Sequence, residues 1–470
     1  GALSREVRGV CRDGARRRQC REPLVEGGDR AGGRGRCRDG RHGVTGPEKR
    51  LGQPGRGRGF NTAAAPESAI QMVDRDTVQL TEQQQLVRDS VQEICADFDA
   101  AYWREHDRQG EYPQEFVDEL AANGWFGALI PEEYGGAGMS TEETVVIMEE
   151  IAASGGGFSA SQAVHGAVYN SAPLVEYGSE AMKEELLPAV AAGETSIQAF
   201  GLTEPNAGSD STSIETTAEK DGDEYVIDGQ KIWISRVDAS DYIVLMTRTT
   251  PRSEVDKRTH GVTMFLVELE AAFDQSALQV EQIDKTASNA VHSYEMFFEG
   301  LRVPESAVIG EVGEGFYQML DGLNEERLVI AAECVGLGEA AIEAGADYAA
   351  EREVFGQAVG ANQAVQHPLA EAHARVQAAK GMVYRAASSA EDLPRQELGA
   401  RANMAKFLAA DAAFDAADAA VQTHGGFGVA REYDVERYMR EARLTRLVPI
   451  TQELALNYIG ENVLDLPRSY

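Results

Sequence analysis

Apolar positions along this chain change their period twice. Up to about residue 123 they recur at helical spacing. Thr81-Glu82-Gln83-Gln84 has the form of a capping box, Leu86, Val91, Ile94 and Phe98 make an apolar stripe, and Pro113 opens a second helix through Phe116, Leu120 and Ala121. Pro131-Glu132-Glu133-Tyr134-Gly135-Gly136-Ala137-Gly138 is a breaker-rich loop, after which helical spacing resumes over residues 141–153, 163–177 and 181–192. The period then falls towards two. Tyr225, Ile227 and Lys231-Ile232-Trp233-Ile234 predict strands around a turn at Asp228-Gly229, and residues 242–247, 262–267, 293–298 and Val303 predict others. After Pro304, Ala-rich stripes predict long helices over residues 314–350, 362–387, 398–423 and 435–463. Helix, sheet and helix in that order predict an α+β protein with a separate β module.

Charge divides the chain elsewhere. Residues 1–60 carry 16 basic and 7 acidic side chains, whereas residues 61–470 carry 28 and 70. The first segment is rich in Arg and Gly and lacks any periodicity, so it cannot bury enough apolar surface to offset its ordering entropy. Residues 1–71 are therefore expected to be a basic low-complexity tail preceding a start at Met72; a disordered nucleic-acid-binding tail and a targeting segment are the alternatives. The remainder is expected to divide into an N-terminal helical domain (72–195), a middle β domain (196–305) and a C-terminal helical bundle (306–470).

Composition narrows the function classes. No run of 18 apolar residues occurs and there is no apolar signal region, which argues against a membrane span and a secretory signal. Only Cys95 and Cys334 lie outside the basic segment, too few for a disulfide framework or a zinc ribbon, so no metal is expected and the expected location is the reducing cytoplasm. The acidic body should repel nucleic acid and anionic lipid. With only seven lysines after residue 60, it has the character of a halophilic protein, kept soluble by carboxylates whose repulsion salt screens.

Two stretches carry candidate chemistry. Phe200-Gly201-Leu202-Thr203-Glu204-Pro205-Asn206-Ala207-Gly208-Ser209-Asp210 lies where helix gives way to sheet, and its hydroxyls and glycines suit an aromatic heterocycle bearing carbonyl and ring-nitrogen acceptors. Gln422-Thr423-His424-Gly425-Gly426-Phe427-Gly428-Val429 offers backbone N–H groups to a diphosphate. Either alone is weak evidence, because turns and helix C-caps use the same residues.

Together they resemble the two signature patterns of the acyl-CoA dehydrogenase family of flavoproteins. The resemblance runs from about Leu80 to Tyr470 and includes Asp228-Gly229-Gln230-Lys231-x-Trp233-Ile234-Ser235 and Arg352-x-x-Phe355-Gly356. It implies an acyl-CoA dehydrogenase-like fold: an N-terminal helical domain, a middle β-barrel-like domain and a C-terminal four-helix bundle. It implies FAD, with Phe200, Leu202 and Thr203 along the flavin, and Trp233 and Ser235 over its other face. Arg352 and Phe355 would reach the cofactor of a neighbouring subunit, Gln422, Gly425 and Gly426 would follow its diphosphate across a dimer, and Thr451 would lie near the ribityl chain. Ser209 would meet the CoA arm of a thioester substrate, with Arg327 near the same channel. A homo-oligomer, usually a tetramer, and an electron-transferring flavoprotein as electron acceptor are implied, together with a role in fatty acid metabolism.

The implied reaction is α,β-dehydrogenation of an acyl-CoA thioester, in which a shielded, well-placed carboxylate removes the α proton. Here the chain departs from the commoner family pattern. The usual base lies in a late Tyr-Glu-Gly-Thr segment, but this sequence reads Val448-Pro449-Ile450-Thr451, so Pro449 supplies neither a carboxylate nor an N–H donor to the thioester. The isovaleryl-CoA and long-chain branches carry the base on an earlier helix, directly before an Arg. That helix reads Leu323-Asn324-Glu325-Glu326-Arg327, which makes Glu326 the expected base. Glu325, about 100° away around the helix and expected to be solvated, and Glu453 are weaker candidates. An oxidase or monooxygenase on the same fold, or a flavin-bound member without dehydrogenase activity, are the rival functions.

Overall fold

The computed structural model describes residues 77–468. The basic segment and the proposed start at Met72 lie outside these residues.

The first block is helical: α1 (Glu82–Cys95), α2 (Ala100–Gln109), α3 (Gln114–Ala122), α4 (Thr141–Ile151), α5 (Gly157–Tyr169), α6 (Ala172–Tyr177) and α7 (Glu180–Ala191). The capping box forms as expected: the Thr81 hydroxyl accepts from Gln84 N and the Gln84 side chain accepts from Thr81 N, both at 3.1 Å. The α1 stripe is shifted from its expected place. Leu86 is 68% exposed, whereas Gln84, Val87, Arg88, Val91, Ile94 and Cys95 turn inward. Polar residues share that face because α4 presents carboxylates to it: Gln84 donates to Glu142 at 2.7 Å, and Arg88 lies 3.6 Å from Glu150.

The middle block is an eight-stranded sheet of β1 (Ala199–Gly201), β2 (Thr217–Asp221), β3 (Glu224–Ser235), β4 (Tyr242–Arg248), β5 (Val262–Glu268), β6 (Leu278–Gln282), β7 (Ser293–Pro304) and β8 (Val308–Ile309), with the short α8 (Leu269–Asp274) between β5 and β6. The order is β6-β7-β3-β2-β4-β5-β8, with β1 parallel to β4. No hairpin turn occurs at Asp228-Gly229. β3 runs straight through it with a register shift against β7, and the Asp228 carboxylate accepts the Gly300 N–H at 2.7 Å. Gly229 has φ 148°, and a Cβ there would lie 2.6 Å from Thr216 Cα, so the dipeptide serves a bulge.

The last block holds α9 (Gly315–Glu351), a small hairpin of β9 (Glu353–Val354) and β10 (Gln357–Ala358), α10 (Gln363–Ala387), α11 (Arg395–His424), α12 (Val435–Thr445) and α13 (Gln452–Asn462). The expected helix over 435–463 is two helices. Pro449 cannot extend α12, the Ile450 carbonyl instead accepts from the buried Lys406 at 2.7 Å, and the Thr451 hydroxyl caps α13. Between α4, α9 and α10, the fully buried Lys380 ammonium lies 2.6 Å from Glu149 and 3.2 Å from Glu339. None of the described helices is long and apolar enough to cross a membrane.

Candidate active site

Two buried side chains set the loop that leads out of β1. The Lys231 ammonium on β3 donates to the Glu204 carboxylate at 2.7 Å and to the Leu202 carbonyl at 3.1 Å, and Glu204 also accepts the N–H groups of Glu215 and Thr216 at 2.6 and 3.0 Å. Ile232 N donates to the Thr203 carbonyl at 2.9 Å. Phe200 and Leu202 consequently pack on the same apolar cluster as Leu320 and Leu323 of α9. A second register shift in β3, between Lys231 and Ile234, leaves Trp233 at φ 63° and 55% exposed. A left-handed conformation is costly for so bulky a residue, and such strain persists where the surroundings impose it. Ser235 lies 3.3 Å, oxygen to oxygen, from Ser293.

Glu326 lies on α9 three residues beyond Leu323, its side chain 19% exposed. His165 of α5 faces it, with Nε2 3.7 Å from Glu326 Oε1, while its Nδ1 lies 2.7 Å from Oε1 of the fully buried Glu333. The other Glu333 oxygen accepts from Gln162 at 2.7 Å, and Arg236, directly after Ser235, donates to the Gln162 carbonyl at 2.8 Å. A chain of polar contacts thus joins the end of β3 to Glu326. Burial alone would lower the imidazole, but Glu333 and then Glu326 outweigh it and raise His165 to about 9.

The other carboxylates stand differently. Glu325 is partly buried rather than solvated; burial, then Glu391 and Glu176, push its carboxyl up. Glu453 is exposed, and its own N–H and the Thr451 hydroxyl hold its carboxyl down, as suits a helix cap. Arg327 donates to Asn324 at 2.7 Å, and burial lowers its guanidinium. Ser209 is exposed beside Asp210, which pairs with Arg258.

A separate group surrounds the end of α11. An open cavity of about 590 Å³ is lined by Tyr348, Arg352, Thr423, Gly425, Gly426 and Phe427, among others. Gly425 ends the helix at φ 60°, a conformation that glycine adopts without strain. Arg352 has no carboxylate within ion-pair distance among the described residues, although Glu432 lines the same cavity. Gln422 is exposed next to this cavity, and Phe355 is fully exposed at φ 54°. Phe200, Leu202, Thr203, Trp233 and Ser235 are not part of the cavity lining.

These residues fit FAD in two parts. Arg352 and the Gly425-Gly426 backbone offer a guanidinium and N–H groups to a diphosphate, and Gly425 and Gly426 have open space where side chains would stand. The Thr203 hydroxyl, which has no protein partner among the described residues, and the exposed Trp233 suit a flavin edge and face. Sequence reasoning missed His165, Arg236 and Glu333. The available signal for His165 was one ionisable residue inside the apolar run Ala163-Val164-His165-Gly166-Ala167-Val168.

Family models described as the N-terminal, middle and C-terminal domains of acyl-CoA dehydrogenase match residues 81–194, 199–301 and 313–464. The chain is 34% identical over 394 residues to acyl-CoA dehydrogenase FadE12 of Mycobacterium tuberculosis, covering 83% of this chain and 98% of that protein. It is 33% identical over 387 residues to an acyl-CoA dehydrogenase of Bacillus subtilis, covering 82% and 99%. The solved structure of butyryl-CoA dehydrogenase from Megasphaera elsdenii is similar, with TM-score 0.76 and 30% identity over 82% of this chain and 99% of that one.

Proposed function

The chain belongs to the acyl-CoA dehydrogenase family of FAD-dependent oxidoreductases, and on that premise we propose that it oxidises an acyl-CoA thioester to the trans-2-enoyl-CoA with Glu326 as the base. The observation that carries this reading is the placement of Glu326. It is a largely buried carboxylate one turn beyond Leu323, which packs in the same cluster as Phe200 and Leu202. Bound FAD supplies the acceptor for the β hydride. Glu326 takes the α proton as the electron pair of that C–H bond moves into the new double bond. Phe200, Leu202, Thr203, Trp233 and Ser235 hold the flavin, while Arg352, Phe355, Gln422, Gly425, Gly426 and Thr451 hold the rest of the cofactor, partly across a subunit boundary. Arg327 and Ser209 border the thioester channel. Pro449 removes a backbone donor found elsewhere in the family, so the thioester carbonyl depends on other hydrogen bonds. The partners of this reading are an electron-transferring flavoprotein and further copies of the chain in a tetramer, in the cytoplasm.

The test is anaerobic loss of visible flavin absorbance in high salt with a panel of straight and branched acyl-CoAs. Wild type bleaches with at least one thioester, and Glu326→Gln binds it but bleaches about 10³-fold more slowly. Pro449 favours one rival, a flavin-bound member without dehydrogenase activity; wild type that holds flavin and bleaches with no thioester supports that rival.

A further inference from the structure

Glu333 is fully buried, and both of its oxygens are engaged, one by His165 Nδ1 and one by Gln162 Nε2. An ionised carboxylate only accepts, so His165 Nδ1 carries hydrogen. This fixes the ring with Nε2 towards Glu326, at 3.7 Å. His165 is itself 4% exposed and sits in an apolar stretch of α5. The ring therefore lies between two carboxylates. Arg236, 6% exposed behind Gln162, is the second cation of the group, and the Tyr169 ring packs 6.0 Å from the imidazole while its hydroxyl donates to the Gly322 carbonyl. Arg327, next to Glu326 on α9, is a third cation of this region, and Glu326 is the first charge that acts on it.

Resting on the reading of Glu326 as the base, we propose that His165 is its positioning residue: anchored by Glu333, it orients the Glu326 carboxylate and keeps it in the anionic form that accepts the α proton. At 3.7 Å the contact is an ion pair longer than a normal hydrogen bond. His165 is neither oxidised nor reduced in this role, and the transferred proton passes from the substrate carbon to a Glu326 oxygen.

The experiment is the pH dependence of kcat/KM for FAD-loaded wild type, His165→Asn, Glu333→Gln and Glu326→Gln, with whichever of butyryl-, octanoyl-, palmitoyl- or isovaleryl-CoA bleaches wild type fastest. Removing the positive charge makes the Glu326 carboxylate harder to ionise. The acid limb of His165→Asn should therefore move up by about one pH unit or more, with kcat reduced and KM little changed. Glu333→Gln should move it the same way by less, and gives the readout if His165→Asn fails to retain flavin. An unmoved acid limb in a flavin-loaded His165→Asn or Glu333→Gln, with Glu326→Gln inactive, overturns the role of His165 and leaves the base assignment intact. An active Glu326→Gln overturns the base assignment and the role of His165 with it.

Discussion

Lys231 and Glu204 form a buried ion pair, Nζ to Oε1 2.7 Å, inside the sheet that carries the proposed flavin face. Lys231 has no exposed surface, yet its ammonium also reaches the Leu202 carbonyl, so one side chain ties β3 to the loop leading out of β1. Burial lowers Lys231 to about 8 despite the favourable carboxylate, and Lys231 in turn holds the Glu204 carboxyl below its ordinary value. Lys231→Met leaves Glu204 buried without its cation. Breaking such a pair costs about 3–5 kcal/mol. Urea unfolding of the FAD-free protein should register that loss, and flavin retention should fall with it; unchanged unfolding would show that the pair contributes nothing.

Arg352 faces a cavity lined by Gly425 and Gly426 with no carboxylate partner among the described residues, although the chain is strongly acidic. Arg352→Gln removes charge-assisted hydrogen bonds to a diphosphate, each worth about 1.5–3 kcal/mol. FAD binding should weaken by about 10- to 100-fold in a fluorescence titration. The melting temperature of the FAD-free protein should be unchanged, since the side chain makes no ion pair there.

His165 also predicts a pH dependence of stability. Its folded value of about 9 lies above the ordinary histidine value of 6.5. The stabilisation is therefore fully present below pH 6.5 and is lost as pH rises through 9. Wild type should exceed His165→Asn by about 3 kcal/mol more at pH 6 than at pH 9.5, measured by urea unfolding at constant high salt. A constant difference would mean that folding leaves the ionisation of His165 unshifted.

Lys380 lies between Glu149 and Glu339 with no exposed surface, at the seam of α4, α9 and α10. Lys380→Met removes the ammonium that Glu149 and Glu339 share and should lower stability by about 3–5 kcal/mol at neutral pH. Acidification restores part of this, because the variant can protonate Glu149, whose carboxyl burial already raises to about 7. Thermal melts at pH 5 and pH 8 check the sign: the deficit should be smaller at pH 5.

Residues 61–470 carry 70 acidic and 28 basic side chains. Repulsion of that size is screened within about 3 Å at molar salt but extends to about 30 Å at 0.01 M. Dialysis to low salt should lower both activity and melting temperature, reversibly on adding salt. Full activity at low salt would remove the halophilic reading.

Much of this architecture was legible in periodicity. The long C-terminal helices, the β-rich middle block and the Thr81 capping box depend on local spacing and local hydrogen bonds, which the chain carries within a few residues. Two of the failures share one cause. The Asp228-Gly229 turn and the inward face of α1 were each decided by a distant partner: Thr216 and Gly300 at the bulge, and Glu142 and Glu150 opposite Gln84 and Arg88. The break in the helix over 435–463 was already written locally in Pro449, and the buried Lys406 donates to the Ile450 carbonyl beside it.

The candidate site divides in the same way. Sequence alone determined the family and the two glycine-bearing stretches, and it pointed to Glu326 as the proposed base in place of position 449, because these are patterns of residue type along the chain. Only the tertiary structure placed His165, Glu333, Gln162 and Arg236 around that carboxylate. They come from α5, α9 and the residue directly after β3, as far apart as residues 162 and 333, and burial makes each require a partner that no local pattern names.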